Sequence, residues 1–373
     1  MTAEETYLAW MRYALWGGDS PIKSANDGKA GDPAATGEVI RVAARQKTRG
    51  LIFDALLRCG APLSEDSVER MRQFLLQNLS THRMLDSALG RAMTALREAG
   101  IPAVLLKGQG AARNYPDPQL RECGDIDIYI GPERLEQAVR TLTPLADRVD
   151  DHLNGKHWEL TMGPAEIELH QHTMLPESRR AARFYPAVEA EGLTRGLVAL
   201  DFDGVRADTP EPTFNAFYFF YHAWHHFING GVGFRQLCDW ALLLHAQRTE
   251  IDPGRLGAML DGMRLRRAWQ LFGNIAVQAL GLPREEMPFY EGKRPHTTRR
   301  VLRLILAEGN FGRGREPRFL RPKGYVAGKA YSFGVHFTRF CRRLPIAPRE
   351  AWQNFVSLSV IGFRRVAKDL SRK

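Results

Sequence analysis

The chain is poor in cysteine and has no long apolar run. Four cysteines, Cys59, Cys123, Cys238 and Cys341, are scattered over 373 residues with no CxxC pair. That spacing argues against a disulfide framework and a structural zinc site, and it suits a reducing, cytoplasmic setting. No stretch approaches the ~20 apolar residues that a membrane span requires. The densest, Phe214 to Trp224, is interrupted by Asn215 and His222. The opening Met1-Thr2-Ala3-Glu4-Glu5 is acidic where a secretory signal would be basic, so export is not expected. No internal repeat is present.

An acidic excess is also missing. The formal charge is +10, from 52 Lys and Arg against 42 Asp and Glu. Residues 316–373 carry thirteen basic and three acidic residues, so the first 315 are neutral overall. Hydrophobic residues make up 44% and charged residues 25%, which is globular composition and excludes a disordered chain.

Periodicity divides the chain into three parts. Residues 1–100 read as helical, with a loop at 20–36 and a long amphipathic helix from about Glu65 to Ala99. Its stripe runs through Leu75, Leu79, Met84, Leu85, Leu89, Met93 and Leu96, and Gly100 closes it. Residues 101–175 change period. Ile101 to Leu106 and Asp125 to Ile130 read as strands, Glu133 to Leu145 as a helix, and Lys156 to Met162 and Ala165 to His172 as a hairpin turning at Gly163-Pro164. Residues 176–373 read as helical, ending in the basic segment. The expected fold class is α+β, a small mixed-sheet core flanked by helical regions.

The chemistry concentrates in that core. Side chains two apart on a strand share a face, so Asp125 and Asp127 point one way while Ile126, Ile128 and Ile130 point into the core. On the later strand Glu166, Glu168, His170 and His172 share a face, with Ile167 and Leu169 opposite. If the two strands are neighbours, Asp125, Asp127 and Glu168 converge. Carboxylate pairs at ~4 Å repel by about 1–4 kcal/mol, depending on the dielectric. A divalent cation removes that cost, and hard oxygen ligands suit Mg²⁺ or Mn²⁺. The Lys107-Gly108 turn lets backbone approach a phosphate, and Lys107 and Arg121 can neutralise one.

These residues resemble a known family. The run Ile101 to Ile130, with Lys107-Gly108, Tyr115-Pro116-Asp117-Pro118, Arg121 and Gly124-Asp125-Ile126-Asp127, is similar to the uncharacterised nucleotidyltransferase family of the DNA polymerase β-like superfamily. Glu168 stands where that superfamily has its third carboxylate. The helix before Ile101 and the segment from His222 to His226, with Asp239 downstream, extend the resemblance over roughly residues 70–245. Two departures stand out: Gln109 replaces the usual Ser after the glycine, and Glu168 replaces the commoner Asp.

The resemblance implies a metal-dependent transferase that moves a nucleotidyl group from an NTP to a hydroxyl, releasing pyrophosphate. Asp125, Asp127 and Glu168 would hold Mg²⁺ or Mn²⁺, with Glu168 also assisting as general base. Lys107, Gly108, Gln109 and Arg121 would contact the nucleotide phosphates, and His170 and His226 would line the nucleotide or acceptor site. A small molecule, sugar, peptide or protein side chain comes first as acceptor. Alternatives are an RNA end or tRNA, and a nucleotide- or RNA-binding module that has lost turnover. His222 and His226, at i and i+4, lack the intervening Glu of a zinc protease and read equally well as helix-packing histidines. Cys123 has no base partner near it in sequence. The basic C-terminal segment, interleaved with Phe333, Phe337, Phe340 and Phe363, reads as an RNA-binding surface, an anionic-surface contact or a solvated helical cap.

Overall fold

A computed structural model describes residues 2–24, 33–151, 157–176, 178–202, 204–312 and 322–370. Five helices open the chain: α1 (Ala3–Trp16), α2 (Pro21–Ser24), α3 (Pro33–Gln46), α4 (Arg49–Arg58) and α5 (Glu65–Glu98). The start of α5 is written in its sequence: Ser64 caps it by accepting from Ser67 N–H, and Glu65 and Asp66 place negative charge on the first turn. Its end is equally local, because Gly100 takes the left-handed conformation with φ 65°. The buried stripe differs from the expected one around the middle of the helix. Met84 is 39% exposed, and Asn78 and His82 are buried instead. Both polar side chains reach the Arg121 carbonyl, at 3.2 and 2.8 Å, so that face of α5 carries a loop rather than a core.

The sheet elements follow: β1 (Val104–Leu105), α6 (Gln109–Ala112), β2 (Ile126–Tyr129), α7 (Leu135–Leu142), β3 (Arg148–Asp151), β4 (His157–Met162), β5 (Ala165–His170), α8 (Arg179–Gly192), β6 (Val198–Phe202) and β7 (Val205–Thr209). They form one seven-stranded mixed sheet in the order β3-β4-β5-β2-β1-β7-β6. The β2–β5 pair is parallel, with Asp127 opposite Glu168, and β4 and β5 form the antiparallel hairpin. The apolar face of β2 and β5 (Ile126, Ile128, Ile167 and Leu169) is fully buried in a core that also contains Leu85, Leu89 and Leu96 of α5 and Leu135, Ala138 and Leu142 of α7. Burying each such side chain stabilises the fold by about 1.5–3 kcal/mol before chain entropy is counted.

The strands β6 and β7 lie in a stretch expected to be helical, and they extend the sheet past residue 175. Their own alternation explains them. Ala207 and Phe202 pack into the sheet core, Asp201 and Asp208 stay outside it, and Gly204 turns the hairpin at φ 84°. Strand β3 was likewise not anticipated; three of its four residues are Arg148, Asp150 and Asp151.

The remaining elements are α9 (Pro212–Asn229), α10 (Phe234–Ala246), α11 (Pro253–Met263), α12 (Arg266–Gln278), α13 (Pro295–Glu308), α14 (Tyr325–Arg343) and α15 (Pro348–Leu370). The aromatic run of α9 is core: Phe214, Phe217, Phe220 and Phe227 are buried, and Phe220 packs edge-on against Trp269 and Phe272. Helices α14 and α15 pair through Phe337, Phe340, Trp352 and Phe355. Buried Arg343 ties them to the body by donating to the Phe227 carbonyl at 2.8 Å and pairing with Glu308. Among the described residues no helix is long and apolar enough to cross a membrane. Part of the 20–36 loop and of the basic end, including Arg318, Arg321, Arg372 and Lys373, lies outside the described residues.

Candidate active site

Register brings the acidic residues together. Asp127 and Glu168 are direct partners across the parallel β2–β5 pair, so their side chains leave the same face of the sheet. Asp125 precedes β2 on the same alternation. The three carboxylates each offer an oxygen within 4.8 Å of the others. A second group of the same span, His157, Glu168 and His170, shares Glu168. His157 enters it because the β4–β5 hairpin sets it opposite His170.

Gly108 closes the near wall. It adopts φ 61°, and a Cβ there would lie 3.1 Å from the Asp125 carbonyl oxygen. Only glycine combines that dihedral with that approach at little cost. The turn aims Lys107 across the sheet face. Its Nζ lies 3.1 Å from Asp127 Oδ1 and donates to His222 Nε2 at 3.0 Å. His222 Nε2 lies 3.1 Å from His226 Nε2 on the next turn of α9. His170 Nε2 sits 3.0 Å from Asp127 Oδ1 and 3.1 Å from Glu168 Oε2, so one ring nitrogen bridges two carboxylates.

The electrostatics follow from these contacts. The Asp127 charge, and then burial, push the Asp125 carboxyl above its ordinary pKa. Burial would also raise Asp127, but the Lys107 ammonium and the His170 hydrogen bond override it and hold that carboxyl far below the usual range. Burial would raise Glu168, but the His170 hydrogen bond and the His170 and His157 charges together hold it below its ordinary value. His170 is raised, since hydrogen bonds to Asp127 and Glu168 outweigh the cost of burying its charge. The raised Asp125 marks negative charge that Lys107 and His170 do not fully balance.

These side chains line a cleft of about 170 Å³ that also includes Lys107, Gly108, His222, His226, Arg235 and Asp239. Two residues expected to grip phosphate are placed differently. Gln109 is buried and absent from the cleft lining; its amide donates to Asp86, and it accepts from Cys123 Sγ at 2.9 Å. Residue 109 starts the short helix α6, so its direction follows the helix rather than the strand. Arg121 does line the cleft, but its guanidinium is committed. It donates twice to Asp239, at 2.8 and 2.9 Å, and Tyr115 Oη donates to the same carboxylate at 2.7 Å. Arg121 therefore ties the loop before β2 to α10.

Sequence reading missed His157 and Arg235. Arg235 lies in the first turn of α10, donates to the Glu122 carbonyl at 2.8 Å, and has a buried Nε with no partner among the described residues. A signal existed: a basic residue in a helix's first turn opposes the helix dipole and needs another reason to be there. Cys123 does have a histidine in space, His82 Nε2 at 3.6 Å, but the pair is absent from the cleft lining.

The family model described as uncharacterised nucleotidyltransferase matches residues 32–281, and the chain belongs to that family. No curated protein matches. Among solved structures, an antigenic nucleotidyltransferase-like protein from Paracoccidioides brasiliensis is similar at 13% identity and a TM-score of 0.33, over 52% of this chain and 92% of that one.

Proposed function

We propose that this member of the uncharacterised nucleotidyltransferase family is a DNA polymerase β-like enzyme. It transfers a nucleotidyl group from an NTP to an acceptor hydroxyl, dependent on Mg²⁺ or Mn²⁺. The observation that carries the reading is the convergence of Asp125, Asp127 and Glu168 within 4.8 Å, on a sheet face whose rim is cationic. The donor set fits a hard divalent cation. All three ligands are oxygens, and the Asp127 charge that pushes the Asp125 carboxyl up is a repulsion a cation would relieve. When bound there, such an ion lowers the pKa of the acceptor hydroxyl and draws charge from the α-phosphate.

The chain's own residues supply the rest. Lys107 and Arg235 both line the cleft and offer charge to the triphosphate. The Gly108 turn lets the backbone pass close to the Asp125 carbonyl and sets Lys107 against Asp127. His170, bridging Asp127 and Glu168, fixes both carboxylates, and His222, itself 3.1 Å from His226, accepts from Lys107. The acceptor oxygen bonds to the α-phosphorus, the Pα–O–Pβ bond breaks, and pyrophosphate leaves. The hydroxyl proton passes to the carboxylate set, with Glu168 as the candidate base. Arg121 is a positioning residue, because Asp239 occupies its guanidinium. Gln109 carries no phosphate role in this reading.

The rival reading is a nucleotide-binding module without turnover. It draws on Lys107, whose ammonium already pairs with Asp127, and on Gln109 facing away from the cleft. Pyrophosphate release from each of the four NTPs, with Mg²⁺ and with Mn²⁺ and a broad acceptor panel, separates the two. The enzyme reading expects release that Asp125→Asn abolishes. No release under any condition sinks it.

A further inference from the structure

A second, larger cavity of about 650 Å³ is lined in part by α9, the helix that also carries His222 and His226 of the candidate active site. Its walls come from four separate segments: the start of α8, α9, the α11–α12 junction and the start of α15. Arg179, Arg180, Arg264 and Arg349 line it, with Glu350 the acidic residue of the wall. Among the described residues the guanidinium groups of Arg179, Arg264 and Arg349 have neither an ion pair nor a hydrogen bond, while Arg180 donates to the Gly262 carbonyl at 2.9 Å. The N-terminal turns of two helices, α8 and α15, both contribute to the wall, and their dipoles favour an anion.

Two further features indicate what kind of anion. Trp352, 58% exposed, offers a large planar surface on the wall. Trp224 is 3% exposed and also lines the cavity, yet its indole N–H has no partner among the described residues; neither has the buried Asn229 Oδ1. Arg264 adds a conformational oddity. It ends α11 at φ 57°, ψ 40°, where glycine is the easier residue.

The cavity and the carboxylate cleft share helix α9. His225 lines it, His226 lines the carboxylate cleft, and their ring centroids are 6.2 Å apart on the same helix. We infer that this cavity is the acceptor site and that the acceptor is a nucleotide or the end of a short single-stranded oligonucleotide. Its phosphates would pair with Arg179, Arg264 and Arg349, and its base would stack on Trp352. The inference rests on the nucleotidyltransferase reading for the word acceptor. The binding site itself rests on the cavity.

Binding can be measured without turnover. Fluorescence anisotropy of 5′-fluorescein-labelled pentaadenylate on the full chain is the direct readout, with AMP and glucose 6-phosphate as competitors. Wild type should bind with an affinity that falls steeply with salt. Arg264→Glu combined with Arg349→Glu, both at exposed positions, should weaken binding at least tenfold while circular dichroism stays unchanged. Trp352→Ala should weaken pentaadenylate and AMP but not glucose 6-phosphate, because only the first two have a base to stack. Asp125→Asn should lose pyrophosphate release yet keep the oligonucleotide. That combination separates failure of this site from failure of the catalytic reading. The inference is overturned if pentaadenylate does not bind, if the double arginine variant binds equally well, or if glucose 6-phosphate competes as well as AMP.

Discussion

The carboxylate cleft and the arginine cavity share helix α9 but are built on opposite plans. In the cleft most charges are held. Asp127 is gripped by Lys107 and His170, Arg121 is locked on Asp239, and burial magnifies each interaction until the acid pKa values diverge. In the cavity Arg179, Arg264 and Arg349 stand in solvent with no partner among the described residues. The first plan fixes geometry to fractions of an ångström, as chemistry requires. The second leaves charge available and screened, as reversible binding of a mobile polyanion requires. A substitution in the cleft should therefore act on turnover or on folding. One in the cavity should act on affinity alone.

The largest break in that contrast comes from the acids. Asp127→Asn should lower pyrophosphate release by about 10²–10⁴-fold, the usual cost of removing one member of a catalytic set. Pentaadenylate binding should stay within about twofold of wild type. Next is the buried pair behind the cleft. Asp239→Ala strands the Arg121 guanidinium and should destabilise the fold by about 3–5 kcal/mol, read as a drop in urea midpoint. The same pair predicts an acid response. Burial alone would raise Asp239, but the Arg121 charge and the hydrogen bonds from Arg121 and Tyr115 hold it below the ordinary 3.8. Its stabilisation is therefore fully present above that value and is lost as pH falls below it toward the depressed native pKa. Urea titrations from pH 5 to pH 2.5 should show the loss in wild type, with a smaller one in an Asp239→Asn variant. The smallest effect separates the two plans most cleanly. Arg264→Gly should leave stability unchanged or raise it by up to about 1 kcal/mol, since glycine accepts the left-handed dihedral. It should still weaken pentaadenylate several-fold.

How far each site could be read from sequence follows from the same contrast. Asp125, Asp127 and Glu168 were legible because strand alternation is local and short apolar runs mark the strands. Their meeting needed only one assumption, that β2 and β5 are neighbours, and the register supplies it. Gln109 was misplaced because the chain changes from strand to helix at Gly108, and a two-residue periodicity does not survive that change. Strands β6 and β7 were missed because each is five residues long and carries charge on its outer face, which blurs the apolar alternation. Arg235 and the cavity arginines were beyond reach for another reason. The cavity draws on positions near 179, 225, 264 and 350, and no local pattern links segments that far apart. The basic charge of the C-terminal segment was visible. That one of its arginines, Arg343, is spent inside the protein on Glu308 and the Phe227 carbonyl was not.

The central claim is that Asp125, Asp127 and Glu168 form one divalent-cation site on the sheet. Equilibrium Mn²⁺ binding, followed by loss of the free-ion electron paramagnetic resonance signal, tests it without assuming an acceptor. Wild type should bind Mn²⁺, Mg²⁺ should compete, and Asp125→Asn with Asp127→Asn should weaken binding at least tenfold with the fold intact. Mn²⁺ binding of equal strength in that double variant would contradict the account.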